Sequence, residues 1–415
     1  MPDDLNSDFN WLLSPAAQSI LELAQADFAD HINPVRIANR LRKLVTPTQA
    51  AMVMEQAQLR SRGKIKFPNA EKLFFTRRGL EQATGYSLAQ YKARRFDGIE
   101  QVVDICCGIG GDLIGLAGRQ QATDTVGVDA DPLTARFAQA NLEQFSIQQA
   151  ASGSPLSGTM EIRCQEFSTC DLQDFAGIHC DPDRRVGDRT VIGSRFSPSL
   201  NEIFRRVTAQ QSLVVKVAPA TPTPRELPEG TEREWIGDRR ECKQQLLCRG
   251  PAVDRPGHRT ATLVDGDEVQ QLSVPEDEID ITIETCRQIR RYLYEPHPTV
   301  LAAGLTNIVA NRGGLARFDP DIDYLTSHDP KRHALLTRFE VVEAFPLNQK
   351  KGRDFLLAHQ IGLLEVKNRG AAKIHFDYFQ RLKLSGPFRA TVVLTRIGLQ
   401  QWVLICRRNV TDFPF

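Results

Sequence analysis

The chain has 415 residues, 41% hydrophobic and 25% charged, enough apolar material for two or three cored domains and too much for wholesale disorder. No apolar run approaches the roughly 20 residues of a membrane-spanning helix, and the acidic start MPDDLNSDFNWLL has no basic lead-in of an export signal; a cytoplasmic protein without a membrane partner is expected. The net charge of +1 hides two basic segments, residues 331–408 with fifteen Lys/Arg against five Asp/Glu and residues 60–95 with ten against two, around an acidic remainder, a distribution that favours a polyanionic partner.

Residues 1–99 read as a helical region. SPAAQSILELAQADF opens on a serine suited to capping and spaces its apolar residues at helical intervals, while PVRIANRLRKL and PTQAAMVMEQAQLRSRGKIKF each open on a proline suited to a first turn. KFPNAEKLFFTRRGLEQATGYSLAQYKARRF is richer in aromatic and basic residues. Over residues 100–275, short apolar runs alternate with helical patterns, the signature of a parallel sheet with crossover helices. The predicted strands are QVVDICC, DTVGVDA, MEIRCQE, AGIHCDP, SLVVKVAP, EREWIGD and HRTATLVD; the predicted helices are DLIGLAGRQQ, PLTARFAQANLEQF and SPSLNEIFRRVTA. Residues 276–334 read as a mostly helical bridge, and residues 335–408 as a compact α+β domain in which TRFEVVEAF, LLEVKNRG and a final strand pair alternate with two helices. The nine cysteines are odd in number and form no CxxC, so buried thiols are expected rather than a disulfide framework. His179 beside Cys180 has no second pair at ligand spacing, and no metal is expected.

The most chemically loaded stretch is VVDICCGIGGD, residues 102–112. Glycines directly after a strand and before a helix let backbone N–H groups approach a ligand closely. Asp104 lies inside the strand just ahead of the turn, where an acid can accept a hydrogen bond from a cationic amino-acid moiety, and Asp129 ends the next strand, where it can hold ribose hydroxyls. Gly108, Gly110 and Gly111 do not have the G-x-G-x-x-G spacing of nicotinamide-cofactor sites. The early acid, the close glycines and the later strand-terminal Asp-Pro fit S-adenosylmethionine better.

DICCGIGGD…GVDADP…CDPDRR resembles the core of class I S-adenosylmethionine-dependent methyltransferases, with Cys106 in the first glycine position of that family's D-x-G-x-G-x-G pattern. A longer series, KFPNAEKLFFTRRGLEQAT, DPDRR, LYEPHPTVLAAGL, FDPDIDYLTS and LLEVKNRG…ATVVLTRI, is similar in order to bacterial methyltransferases with a C-terminal THUMP-like domain. The resemblance implies a Rossmann-like α/β seven-stranded methyltransferase domain, preceded by the helical region and followed by a small α+β domain related to RNA-binding THUMP modules. It implies S-adenosyl-L-methionine as cofactor, held by Asp104, Cys106, Gly108, Gly110, Gly111, Asp112, Asp129 and Ala130, by Glu166 after the third strand, and by Phe75 and Thr76 ahead of the sheet. Asp181 and Pro182 stand where such enzymes contact the acceptor, with Arg184 and Arg185 as candidates for phosphate or carboxylate, or for an ion pair with Asp183 or Asp188. The Asp-Pro is kept, but Asp-Arg-Arg replaces the Pro-aromatic of base-amine methyltransferases. Cys180, a conceivable nucleophile for carbon methylation, points away from Asp181 if the strand alternates. Lys367, Arg369 and Gly370 form a basic turn suited to a nucleic-acid backbone.

The expected function is methylation of a base in structured RNA, tRNA or rRNA, with no obligatory protein partner. A small-molecule or protein methyltransferase, and a non-catalytic RNA-binding protein with a vestigial cofactor site, are the other readings.

Overall fold

The computed structural model describes residues 3–119, 124–156, 158–182, 185–186, 189–190, 197–222, 227–409 and 411–413. The chain divides into two compact units, residues 1–233 with 245–256, and residues 234–244 with 257–415.

In the first unit, helices α1 (Asp3–Leu13), α2 (Pro15–Ala29), α3 (Pro34–Leu41) and α4 (Pro47–Gly63) precede the shorter α5 (Arg77–Gln82) and α6 (Tyr86–Ala93). Pro15, Pro34 and Pro47 each occupy a first helical turn, where the missing N–H costs nothing. Thr46 and Gln49 form a capping box at α4. Ser14 stands at the start of α2 as expected, but its hydroxyl donates to the Trp11 carbonyl at 2.6 Å instead of capping the helix. The apolar faces of these helices share one core with Phe67, Phe74 and Phe75, and with Ile109 and Phe137 from beyond residue 99. The helical region is therefore packed into the same unit as the sheet.

The sheet follows: β1 (Gln101–Ile105), α7 (Gly111–Ala117), β2 (Asp124–Asp129), α8 (Pro132–Ala151), β3 (Met160–Cys164), β4 (Gly177–Cys180), the short antiparallel pair β5 (Arg185–Val186) and β6 (Arg189–Thr190), α9 (Leu200–Arg206) and β7 (Ser212–Val217). β3, β2, β1, β4 and β7 lie side by side in that order and all parallel. β7 is buried at every position, as a central strand covered on both faces must be. Two strands come next, β8 (Glu232–Asp238) and β9 (Glu241–Arg249), each divided between the units. The end of β9 pairs antiparallel with β7, from Val217↔Gln245 to Leu213↔Arg249.

The second unit adds β10 (His258–Asp265), antiparallel to β11 (Glu268–Pro275), then β12 (Tyr292–Pro296), α10 (Pro298–Ala302), α11 (Thr306–Gly313), β13 (Ala316–Arg317), β14 (Leu325–Ser327), β15 (Leu336–Pro346), α12 (Gln349–Ala358), β16 (Ile361–Asn368), α13 (Lys373–Gln380), β17 (Phe388–Ile397) and β18 (Gln400–Arg407). Its seven-stranded sheet runs β13–β14–β12–β15–β18–β17–β16. Residues 276–334 thus differ from the helical expectation. YLYEP is a strand pairing with both β14 and β15, and only two short helices intervene before β13. The reason is tertiary: Leu293 and Tyr294 are buried between neighbouring strands, an environment that local periodicity does not encode. Strands β9 and β11 also go unpredicted.

Candidate active site at the strand ends

The chain turns sharply after β1. Cys106 and Gly108 take left-handed φ values of 58° and 57°, and Gly110 one of 88°. A left-handed conformation costs a non-glycine residue about 1–2 kcal/mol, so Cys106 is held there by its surroundings. Cys107 N–H donates to the Val128 carbonyl at 3.0 Å, and Gly108 N–H donates to Asp129 Oδ2 at 2.9 Å. These bonds tie the turn to the end of β2. A Cβ placed on Gly108 would meet nothing within 4 Å, so open space lies directly over the turn. The other Asp129 oxygen accepts the Asp131 N–H at 3.0 Å. Burial raises the Asp129 pKa, against the opposing effect of these two backbone donors.

Asp104 is fully buried, and its Oδ1 lies 2.6 Å from Nδ1 of His179 on β4. The pairing follows from register, since Asp104 and His179 are direct partners in the β1–β4 ladder. Burial pushes the Asp104 carboxyl up, and His179 draws it back. Among the described residues, Asp104 Oδ2 has no hydrogen-bond partner. A buried oxygen without a donor costs about 1–3 kcal/mol, and a ligand ammonium would remove that cost. This orphaned oxygen, the open space over Gly108 and the Asp129 carboxylate fit S-adenosylmethionine.

Other residues named from the sequence surround this turn in different ways. Asp112, in the first turn of α7, faces inward: its Oδ1 is 2.5 Å from Lys92 Nζ, and its Oδ2 accepts the Thr84 hydroxyl at 2.7 Å. Burial alone would raise this carboxyl, but Lys92, His179 and Lys216 outweigh it and hold it well below the usual carboxylate range. Phe75 is buried, with its N–H and carbonyl both bonded to the Gln56 amide, and the Thr76 hydroxyl caps α5 by accepting the Gly79 N–H at 2.8 Å. This segment nonetheless meets the turn: a Cβ on Gly79 would lie 2.5 Å from Ile109 Cγ2. Asn141 of α8 locks the contact by donating to the carbonyls of Phe74 and Ile109, both at 2.9 Å. Ala130 and Glu166 are exposed after β2 and β3.

Asp181 N–H donates to the Ile105 carbonyl at 3.1 Å, which sets the end of β4 beside the end of β1. The Asp181 side chain is one-third exposed and its Oδ2 is ion-paired with Lys216 Nζ. Pro182 is buried. Arg184 lies outside the described residues, and Arg185 is described only as backbone in β5. Sequence reasoning misses Gln56, Lys92, Asn141 and Lys216, and weighs His179 only as a metal ligand, not as the partner of Asp104. Only His179 carried a signal there, as the residue opposite Asp104 once the two strands are aligned.

In the second unit, both cations of the predicted basic turn engage one carboxylate, Glu295. Lys367 Nζ is 2.6 Å from Glu295, and Arg369 lies 3.4 Å from the same carboxylate. Gly370, at φ 93°, sits against Ile322 and Arg396. Within residues 336–408, the exposed cations without an ion pair among the described residues are Lys350, Lys373, Arg381, Lys383 and Arg389. No cluster of metal-ligating side chains occurs among the described residues, and none of their helices is long and apolar enough to cross a membrane.

Residues 336–408 match a family model described as THUMP domain-like, and residues 5–63 match a domain family of unknown function. Two proteins named as uncharacterized S-adenosylmethionine-dependent methyltransferases, from Mycobacterium tuberculosis strains CDC 1551 and H37Rv, are each 28% identical over 361 residues, 84% of this chain and 94% of theirs. The crystal structure of a protein provisionally assigned as a methyltransferase, from Porphyromonas gingivalis W83, superposes with a TM-score of 0.69 at 21% identity, covering 94% of this chain and 97% of that one; the fold is shared. Over most of its length the chain is a homologue of S-adenosylmethionine-dependent methyltransferases, with a THUMP-like segment at its C-terminal end.

Proposed function

We propose that this protein is an S-adenosylmethionine-dependent methyltransferase that modifies a base in structured RNA, tRNA or rRNA, with the THUMP-like segment helping to bind it. One observation carries the reading: similarity to proteins named S-adenosylmethionine-dependent methyltransferases and a THUMP domain-like segment occur in a single chain. The cations of residues 350–389 that are exposed and unpaired among the described residues support it, because phosphate contacts need charge that is not already spent on carboxylates.

The cofactor supplies an electrophilic methyl group on a sulfonium. The protein's tasks are to hold it, align the acceptor and exclude water. In this reading Asp104 accepts from the cofactor's ammonium through its orphaned Oδ2. Asp129 takes the ribose, the Gly108 turn lies against the amino-acid portion, and Asp181 contacts the acceptor. Arg184 and Arg185, next in the same motif, are its candidates for phosphate. The phosphate-binding role moves from Lys367 and Arg369, which Glu295 engages, to Lys350, Lys373, Arg381 and Lys383.

The test is to compare modified nucleosides by mass spectrometry in total RNA from cells with and without the gene. One methylated nucleoside should fall in the deletion strain and return on complementation. An identical nucleoside inventory in every RNA fraction would remove the RNA reading.

A further inference from the structure

Lys216 is an oddity in its strand. β7 is buried at all six positions, and Leu213, Val215 and Val217 pack into the core on one face. Lys216 projects from the other face into a buried set of charges. Its Nζ pairs with Asp181 Oδ2, lies 3.8 Å from Asp112 Oδ2, and donates to the Gln82 carbonyl at 3.3 Å. Asp112 is in turn held by Lys92 and Thr84. Stability alone is a weak reason for a buried ion pair, since apolar residues of similar volume can often replace the whole pair at no cost. The arrangement does have a geometric effect. It occupies one oxygen of Asp181 and leaves Oδ1 without a hydrogen-bond partner among the described residues, on a side chain one-third exposed.

We infer that Lys216 is a positioning residue for methyl transfer. It clamps the Asp181 carboxylate through Oδ2, so that Oδ1 alone is presented to accept a hydrogen bond from the acceptor. Asp112, Lys92 and the Gln82 carbonyl anchor the clamp to α5, α6 and α7. The inference rests on the reading of Asp181 as the acceptor contact. Lys216 touches neither methyl donor nor acceptor. Burial opposes its charge, but Asp181 and Asp112 outweigh burial and raise its pKa, so it remains an ammonium at neutral pH and serves as a fixed cation, not as a base.

The test uses the full chain, tritiated S-adenosylmethionine and total RNA from cells lacking the gene. Lys216→Met should lower kcat at least about 100-fold while KM for S-adenosylmethionine stays within about twofold, the split expected when an interaction of the transition state alone is lost. Lys216→Arg should recover at least about tenfold of that loss. Asp181→Asn combined with Lys216→Met should be no slower than Asp181→Asn alone, because both changes disable one device. Should Lys216→Met fail to fold, Lys216→Gln carries the same expectation. A folded Lys216→Met or Lys216→Gln protein within about threefold of wild-type kcat would overturn the inference. Wild-type protein that labels no RNA would instead count against the RNA reading. The inference would then be decided by crystal structures with S-adenosylhomocysteine: a displaced Asp181 carboxylate in the variant upholds it, and an unmoved one overturns it.

Discussion

Replacing Lys92 by methionine tests whether the buried charges beneath the strand ends hold α6 and α7 together. Lys92 and Asp112 form a 2.5 Å ion pair whose side chains are 2% and 7% exposed. Methionine keeps the apolar length but leaves Asp112 with the Thr84 hydroxyl and a lysine 3.8 Å away. Removing one partner of a buried pair typically costs about 3–5 kcal/mol, and the residual attraction of Lys216 argues for the lower end, about 3 kcal/mol. For a unit of this size that lowers the melting temperature by roughly 6–12 °C. Urea titration followed by circular dichroism, with hydrogen exchange at the β1 amides to isolate this unit, measures it. Adding Asp112→Asn should return at least half of the loss, because no buried charge is then left unpaired. The pH dependence follows from the same pair. Asp112 binds its proton more weakly in the fold than in the unfolded chain, whose aspartates titrate at about 3.9. Its contribution is therefore complete above that value and is lost as pH falls below it towards the folded pKa. Lys92→Met should blunt this acid-side loss. A Lys92→Met protein within about 1 kcal/mol of wild type, with unchanged acid sensitivity, would refute the reasoning.

Three further outcomes are expected. Gly115→Ala would place a Cβ 2.6 Å from the Ala89 backbone, forcing α6 and α7 apart; overpacking of this kind costs about 1–3 kcal/mol, measurable by thermal denaturation, and no loss would mean the helices have slack. Asp129→Ala removes the acceptor of the Gly108 N–H and the proposed ribose contact, so calorimetric affinity for S-adenosylhomocysteine should fall at least about tenfold; unchanged affinity would place the ribose elsewhere. Lys373→Glu with Lys383→Glu should weaken RNA binding in gel-shift assays and flatten its salt dependence by roughly two counterions, whereas Lys367→Gln should do much less.

The five parallel strands and the glycine turn are legible in the sequence because apolar runs, Gly108 and the strand-terminal Asp129 are local signals. Residues 276–334 look mostly helical in sequence because YLYEP is short and takes its strand conformation from β14 and β15 on either side. The site was legible where a residue sits in a motif and illegible where a partner comes from a distant segment. SLVVKVAP announces a strand, but nothing in it says that Lys216 reaches Asp181, 35 residues away in sequence. Likewise, only the folded chain shows that Asn141 locks Phe74 to Ile109, or that Glu295 has already claimed Lys367 and Arg369.

The most direct test of the account is methyl transfer itself. Purified full-length protein, tritiated S-adenosylmethionine and size-fractionated RNA from cells lacking the gene should give label in one tRNA or rRNA fraction, with none for Asp181→Ala. Tight binding of S-adenosylhomocysteine without label in any RNA fraction would contradict it.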